Sequence, residues 1–276
     1  MTQKPLNTFY GGFFYRLLRI LWSIYFVVTI AIIGFVMGYL VTFSFFCLSF
    51  LTRFIPELSR RISYAAEYIQ CFSIRFLLKI QPWLRCDENF QDIYGFYDCY
   101  KTRKIMFVSN HRSNLDTFIL ISLIPGLRGL AKSTLYYNIF FMPIMLAAGF
   151  VAVRKGNING FLEGLRKLKT KILDMNKAVL IFPETTRCKK NFNSINKFSS
   201  AIFEVAIDTS AIVVPIFIHG TDQLLGRGDF FLNPYSPVKF KILNPIPANQ
   251  FVKPAELSKY VWGLLALEQV EQQKCS

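Results

Sequence analysis

The sequence predicts an α/β protein: a central, mostly parallel sheet flanked by helices, preceded by an apolar helical segment. Two observations carry the prediction. From about residue 90, short apolar runs alternate with stretches of helical periodicity, the pattern of strands joined by crossover helices. Before that lies a run of 33 positions, residues 20–52, without one charged side chain. Composition sets the surroundings. Hydrophobic residues make up 53% of the 276, aromatic residues 16%, and the formal net charge is +15. A chain both this apolar and this basic suits an anionic membrane surface or phosphate-bearing ligands. Nucleic acid, the other common partner of basic chains, is not expected, because the positive charge sits beside long apolar runs.

Taken in order, residues 1–85 form an expected membrane-anchoring helical region and residues 86–276 the α/β domain. About 20 apolar residues span a bilayer. A secretory signal fits poorly, since its apolar core is only about 7–15 residues. As one straight helix the run 20–52 would be roughly 50 Å long, against a hydrocarbon core of ~30 Å. It must tilt, protrude or bend, and Gly34 and Gly38 are the natural bend points. One long span or a shallow hairpin both fit. Lys4, Arg16 and Arg19 precede the run and Arg53, Arg60 and Arg61 follow it, so the flanking charges do not set an orientation. Residues 55–85 show helical spacing with interspersed arginines, which suits either a basic helix on a membrane surface or an amphipathic core helix. A linker is expected near 82–103.

The apolar runs "KIMFVSN", "FVAV", "AVLIF" and "AIVVPIFI" read as buried strands, and "VKFKILNPI" adds another. Helices are expected at about 114–124, 157–175, 197–208 and 255–272. The six cysteines show no CxxC pair and no metal-type spacing, so they read as reduced thiols.

Ligands of such folds sit beyond the carboxyl ends of the strands, so the polar residues just after the strands are the candidates. Asn110 and His111 follow the first run, Arg154 and Lys155 the second, Glu184 and Arg187 ("FPETTR") the third, and His219 the fourth. His111 and Asp116 would stand about 140° apart on a continuous helix. If His111 lies in the turn and Asp116 in the first helical turn, the carboxylate can reach Nδ1 and leave Nε2 as a base. Ser113 and Asp116 equally fit a capping box, S-x-x-D. Arg154 can clamp a phosphate bidentately or end a strand in solvent. Glu184 can hold substrate hydroxyls or orient a basic residue, and Arg187 can take phosphate. His219 reads as a second base or a structural strand-end residue. The basic tract 166–177 is a solvated helix face that can also meet anionic headgroups.

"NHRSNLD" resembles the H-x4-D box of the glycerolipid and lysophospholipid acyltransferases, and the resemblance runs from about residue 100 to 220. "AKSTL" is similar to the family's A-K-x-E-L segment, with Lys132 in the lysine position and Thr134 in place of an acid. Pro143 and Gly149 precede "FVAVR" as in the second box, which puts Arg154 in the place of a phosphate-binding arginine. "FPETTR" resembles the third box, F-P-E-G-T-R, and "IVVPIFIHGT" the fourth, with Pro215 in the proline position. Two departures stand out. Thr185 replaces a glycine that permits φ > 0. Ser199 and Ser200, with Lys197 nearby, replace a basic pair.

The resemblance implies a membrane-bound O-acyltransferase. It would move an acyl chain from acyl-CoA or acyl-carrier protein to a lysophospholipid hydroxyl, most simply that of 1-acylglycerol 3-phosphate, giving phosphatidate. His111 would be the general base and Asp116 its orienting partner. Arg154, Glu184, Arg187, Lys132 and Lys197 would bind substrate. No cofactor or metal is expected, because a thioester's thiolate leaves without one. The partners would be the phospholipid membrane, the acyl donor and the lysophospholipid, with the catalytic domain on the cytoplasmic face. The alternatives are another acceptor (glycerol 3-phosphate, another lysophospholipid or an amino-acid lipid) and a non-catalytic protein that binds anionic lipid.

Overall fold

The structure is a computed structural model of the 276-residue chain. It describes residues 12–82, 84–86, 104–138, 142–147, 149–154, 156–175, 178–188, 194–234 and 237–275. Most of the expected linker, with Lys4 and Lys155, lies outside the described residues.

The uncharged run folds as one helical path. Helix α1 (Phe13–Phe35) passes into a π segment (Val36–Phe43) and then into α2 (Ser44–Leu51). The π segment contains Gly38 and opens two residues after Gly34, where the sequence predicts a bend. Such wider turns are an established cause of helix bending. Helix α3 (Pro56–Lys79) returns beside α2, with Ser49 Oγ 2.6 Å from Ser63 Oγ. Among the described residues, Phe13–Ile33 is the one stretch of helix long and apolar enough to cross a membrane. Helix α3 begins with proline and an acid, Glu57, and ends with Lys79, each placed where the helix ends favour it. One face buries Ala66, Cys71, Ile74, Leu77 and Leu78, while Tyr64, Tyr68, Phe72 and Phe76 stand exposed four residues apart. The helix therefore has both the core face and an outward aromatic stripe.

Eight strands among the described residues form one sheet, in the order β1-β7-β6-β2-β5-β3-β4 with β8 paired to β6. Their spans are β1 Arg85–Cys86, β2 Ile105–Ser109, β3 Arg128–Lys132, β4 Val151–Val153, β5 Val179–Ile181, β6 Ile212–His219, β7 Pro237–Ile242 and β8 Ile246–Pro247. From β6 to β4 all neighbours are parallel, whereas β7 and β8 run antiparallel to β6. This is the predicted α/β class with a mostly parallel sheet. Strand β3 is an addition to the sequence reading. Its Gly129 breaks the apolar run, and the position demands glycine, since an added Cβ would lie 2.8 Å from the Leu180 carbonyl oxygen.

All five residues of β2 are buried, as expected for the centre of a parallel sheet. Its side chains alternate between two cores. Ile105 and Phe107 pack with α4 (Leu115–Leu123) and with Ile74 and Leu78 of α3. Met106 and Val108 face the other side. They pack with α6 (Ile158–Met175), α7 (Ala201–Asp208) and α9 (Pro254–Cys275). Short helices α5 (Met142–Ala147) and α8 (Thr221–Leu225) complete the chain. Helix α7 starts at 201, not 197, and the segment before it is tied to the β5 turn by the Ser199 N–H, which donates to the Pro183 carbonyl.

The N-terminal helices are fastened to the α/β part by named polar bonds. Arg19 Nε donates to the Leu232 carbonyl (3.0 Å), and the Leu232 N–H donates to Ser23 Oγ (2.9 Å). Tyr25 Oη donates to the Ile80 carbonyl, and Gln81 Nε2 to Thr29 Oγ1. Cys71 and Arg75 both donate to the Ser122 carbonyl, and the buried Arg128 pairs with the buried Glu67.

Candidate active site

Because five strands are parallel, their carboxyl ends lie along one edge of the sheet. That edge carries Lys132, Arg154, His219 and the turns after β2 and β5. Adjacent pairing of β2 and β5 brings the His111 turn against the turn holding Glu184. Strand β3 stands two places from β2 and β4 three places. At about 4.8 Å per strand, Lys132 and Arg154 start roughly 10 and 14 Å from the His111 strand.

Asn110 closes β2. Its side-chain amide donates to the Ile218 carbonyl and its Oδ1 accepts the Ile218 N–H, both at 2.8 Å, so it clips the strand end to β6. The chain then turns, and His111 Nδ1 lies 2.9 Å from Asp116 Oδ2. The same oxygen accepts the backbone N–H groups of Arg112 and Ser113, each at 2.7 Å. Ser113 Oγ accepts the Leu115 N–H at 3.2 Å, and Asn114 is already helical (φ −63°, ψ −24°). The helix cap is Asn114 and not the expected Ser113, and the Asp116 N–H bonds the Ser113 carbonyl, so of the capping box only the carboxylate's reach back to the Ser113 N–H forms, on the same oxygen that meets His111. Asp116 is fully buried, while the His111 side chain is 17% exposed. An ionised Asp116 holds the proton on Nδ1 and leaves the Nε2 lone pair for a reactant. The imidazole stacks on the Phe182 ring, centroids 4.2 Å apart.

The β5 turn completes the frame. Glu184 is buried, and both its oxygens are engaged. Oε1 accepts the His111 N–H at 2.7 Å; Oε2 accepts the Asn196 N–H and the Cys188 thiol, each at 3.0 Å. The Cys188 N–H returns to the His111 carbonyl. Burial pushes the Glu184 carboxyl up, opposed by these three donors and the nearby Arg112 charge. Burial, with the neighbouring carboxylate, pushes the Cys188 thiol up to about 12, so it is a hydrogen-bond donor and not a nucleophile. Cys47, Cys71 and Cys188 are free thiols.

Thr185 has φ +56°. A β-branched residue in that region carries roughly 1 kcal/mol of strain, and a glycine would relieve it. Thr185→Gly is expected to raise the melting temperature by about 2–4 °C. A thermal melt that is unchanged or lower would show that the threonine side chain offsets the strain.

The remaining predicted residues fall as follows. Lys132, Arg154 and Lys197 are exposed, and Arg187 is partly exposed. The Arg187 carbonyl accepts a bond from Arg227 Nη1 at 3.4 Å. Lys197 follows Asn196, whose N–H serves Glu184, and the Trp262 indole donates to the Asn196 carbonyl. His219 ends β6 beside β2, and burial holds its imidazole below the usual range. Among the described residues no cluster of three or more His, Cys, Asp or Glu could hold a metal.

Several supporting residues are absent from the sequence reading. Phe182 stacks on the His111 imidazole. Arg112 is buried, bonded to Gln269 of α9, with Asp222 Oδ2 3.6 Å from its Nη1. An arginine next to the histidine was the only sequence signal, and its partners lie more than 100 residues away.

A His–Asp pair, its aspartate buried and its imidazole partly exposed, thus stands at the carboxyl edge of a parallel sheet in an α/β protein, with a neighbouring carboxylate on the histidine's backbone. Residues 87–219 match the family model described as Acyltransferase. It is 23% identical over 169 residues to a 1-acyl-sn-glycerol-3-phosphate acyltransferase of Cocos nucifera, covering 61% of this chain and 54% of that protein. To a chloroplastic 1-acyl-sn-glycerol-3-phosphate acyltransferase of Arabidopsis thaliana it is 30% identical over 145 residues, covering 51% and 39%. The chain thus spans about half the length of the curated relatives it matches. The crystal structure of the 1-acyl-sn-glycerophosphate acyltransferase of Thermotoga maritima shares the fold. Its TM-score is 0.70 at 22% identity, over 94% of this chain and 97% of that one.

Proposed function

We propose that the protein is a membrane-bound O-acyltransferase that takes an acyl chain from acyl-CoA or acyl-carrier protein. The acceptor is the free hydroxyl of a lysophospholipid, 1-acylglycerol 3-phosphate, giving phosphatidate. The observation that carries this reading is the 2.9 Å His111–Asp116 contact at the end of β2, inside the segment matched to the acyltransferase family.

In this mechanism His111 Nε2 takes the acceptor hydroxyl proton as the oxygen attacks the thioester carbonyl. The tetrahedral oxyanion is met by backbone N–H groups. It collapses with loss of the thiolate, which receives the proton from the imidazolium. Asp116 fixes the tautomer and stabilises the imidazolium. Arg154, Arg187, Lys132 and Lys197 supply positive charge for the acceptor phosphate. Glu184 supports the reaction from behind, since its oxygens already hold the His111 backbone and the Asn196 segment. The acyl donor needs no cofactor. Helix α1, whose outward face is apolar and exposed, keeps the site at the bilayer, with the catalytic part on the cytoplasmic side.

The test is turnover. Protein in phospholipid vesicles is given acyl-CoA or acyl-carrier protein with a panel of lysolipids, and products are followed by mass spectrometry. Acylation of lysophosphatidate is the expected result; no product from any acceptor leaves a lipid-binding protein instead. Arg154→Ala should raise KM for phosphate-bearing acceptors roughly ten- to a hundredfold, the worth of a charged hydrogen bond, and leave neutral lysolipids nearly unaffected. Thr185 and the pair Ser199–Ser200 favour a second reading, a different acceptor headgroup, which the same panel would reveal.

A further inference from the structure

The segment Gly226–Asn233, "GRGDFFLN", is a closed loop after α8. The Asn233 N–H and side-chain amide donate to the Leu224 and Gln223 carbonyls. The Gly226 N–H donates to Asp229 Oδ2, and the Asp229 N–H returns to the Gly226 carbonyl. Gly228 supplies the positive φ (+92°) that the turn needs. This pinned loop presents Phe230 to solvent at 93% exposure and Phe231 at 44%, while Leu232 is buried.

The loop joins two other parts of the molecule. Arg19 of α1 donates to the Phe231 and Leu232 carbonyls, and Ser23 of α1 accepts the Leu232 N–H. Arg227 donates to the carbonyl of Arg187, and Ser113, in the turn between His111 and Asp116, donates to the Leu225 carbonyl. The loop therefore sits between the mouth of the site and α1, whose outward face exposes Phe13, Phe14, Leu17, Ile20, Leu21 and Ile24.

We propose that this loop inserts Phe230 into the headgroup region of an anionic bilayer, beside the outward face of α1, and so seats the mouth of the His111 site on the lipid surface. The inference rests on the membrane reading of α1 above. Continuity with that apolar face argues for lipid over a protein partner. So does charge. Arg19 is bonded to the loop and Arg227 lies within it, and its one acid, Asp229, is used in closing the turn. Cations flanking an exposed aromatic side chain fit an anionic interface. The rigid closure lowers the entropy lost on insertion.

The experiment uses the full chain on vesicles of phosphatidylcholine and phosphatidylglycerol carrying a quencher at a shallow chain position. In Phe230→Trp, the emission added to that of the three native tryptophans should shift to the blue and be quenched. Phe230→Ala should raise the apparent KM for a bilayer-presented acceptor roughly tenfold, from the loss of one buried aromatic side chain, and leave turnover of a short-chain, water-soluble acceptor unchanged. A chain that floats with the vesicles while the new tryptophan stays unquenched overturns the proposal and spares the membrane reading of α1. A chain that stays in the aqueous fraction overturns both. A loss confined to acyl-carrier protein as donor, with acyl-CoA unaffected, would make the loop a carrier-protein dock and also overturn it.

Discussion

His111→Ala is expected to lower kcat by about 10²–10⁴-fold with little change in KM, the usual worth of a positioned general base. The side chain lies at the surface end of the pair, 17% exposed, so truncating it removes one stacked ring and one hydrogen bond without opening the core. A thermal melt should therefore stay close to that of the unmodified protein. Asp116→Asn should be worse for the fold. Asp116 Oδ2 takes the imidazole and two backbone N–H groups at once. Steady-state rates for both variants, beside their melts, separate chemistry from scaffold. Equal turnover by His111→Ala and the unmodified protein would remove the histidine from the mechanism.

Glu184→Gln should cost both stability and rate. The carboxylate has no donor of its own and accepts on both oxygens, from two backbone N–H groups and a thiol. An amide would turn an N–H₂ toward one of those donors and leave it unsatisfied in a buried place. That is worth about 1–3 kcal/mol, a melting temperature lower by about 2–10 °C. Because the donor at Oε1 is the His111 backbone, kcat should fall as well. The effect is measured by thermal unfolding and by kcat on the same preparation. A variant with a normal melt and a reduced affinity for acceptor alone would return Glu184 to direct substrate binding.

What was legible in the sequence follows the range of the interactions. Strands β2 and β6 are continuous apolar runs buried on both faces, and such runs announce themselves. The uncharged stretch up to Arg53 was equally plain, and the helix departs from regular α geometry at Val36–Phe43, beside Gly34 and at Gly38. The short element β1 has two residues and owes its pairing to β7, so no local signal marks it. Strand β3 was hidden by Gly129, which is there for closeness to Leu180 and not for strand propensity. In the site, His111 and Asp116 are five residues apart and could be paired on paper. The Asn110 clip to Ile218 spans 108 residues, and the Arg112 bond to Gln269 spans 157. Such contacts exist only once the sheet is assembled. Glu184 was found as a candidate, but its partners were not, because the His111 N–H comes from the turn after the neighbouring strand and the Asn196 N–H and Cys188 thiol reach it only through the fold of the following loop.

The bond from Arg19 to the Leu232 carbonyl spans 213 residues. At ordinary rates of synthesis, about 5–20 residues per second, some 10–40 s separate the making of the two partners. Tyr25 and Thr29 of α1 find Ile80 and Gln81 early, but its Arg19–Ser23 stretch waits through that interval, and most of the sheet can form before that end is fastened. The N-terminal end of α1 is therefore among the last parts of the molecule to be joined to the α/β part.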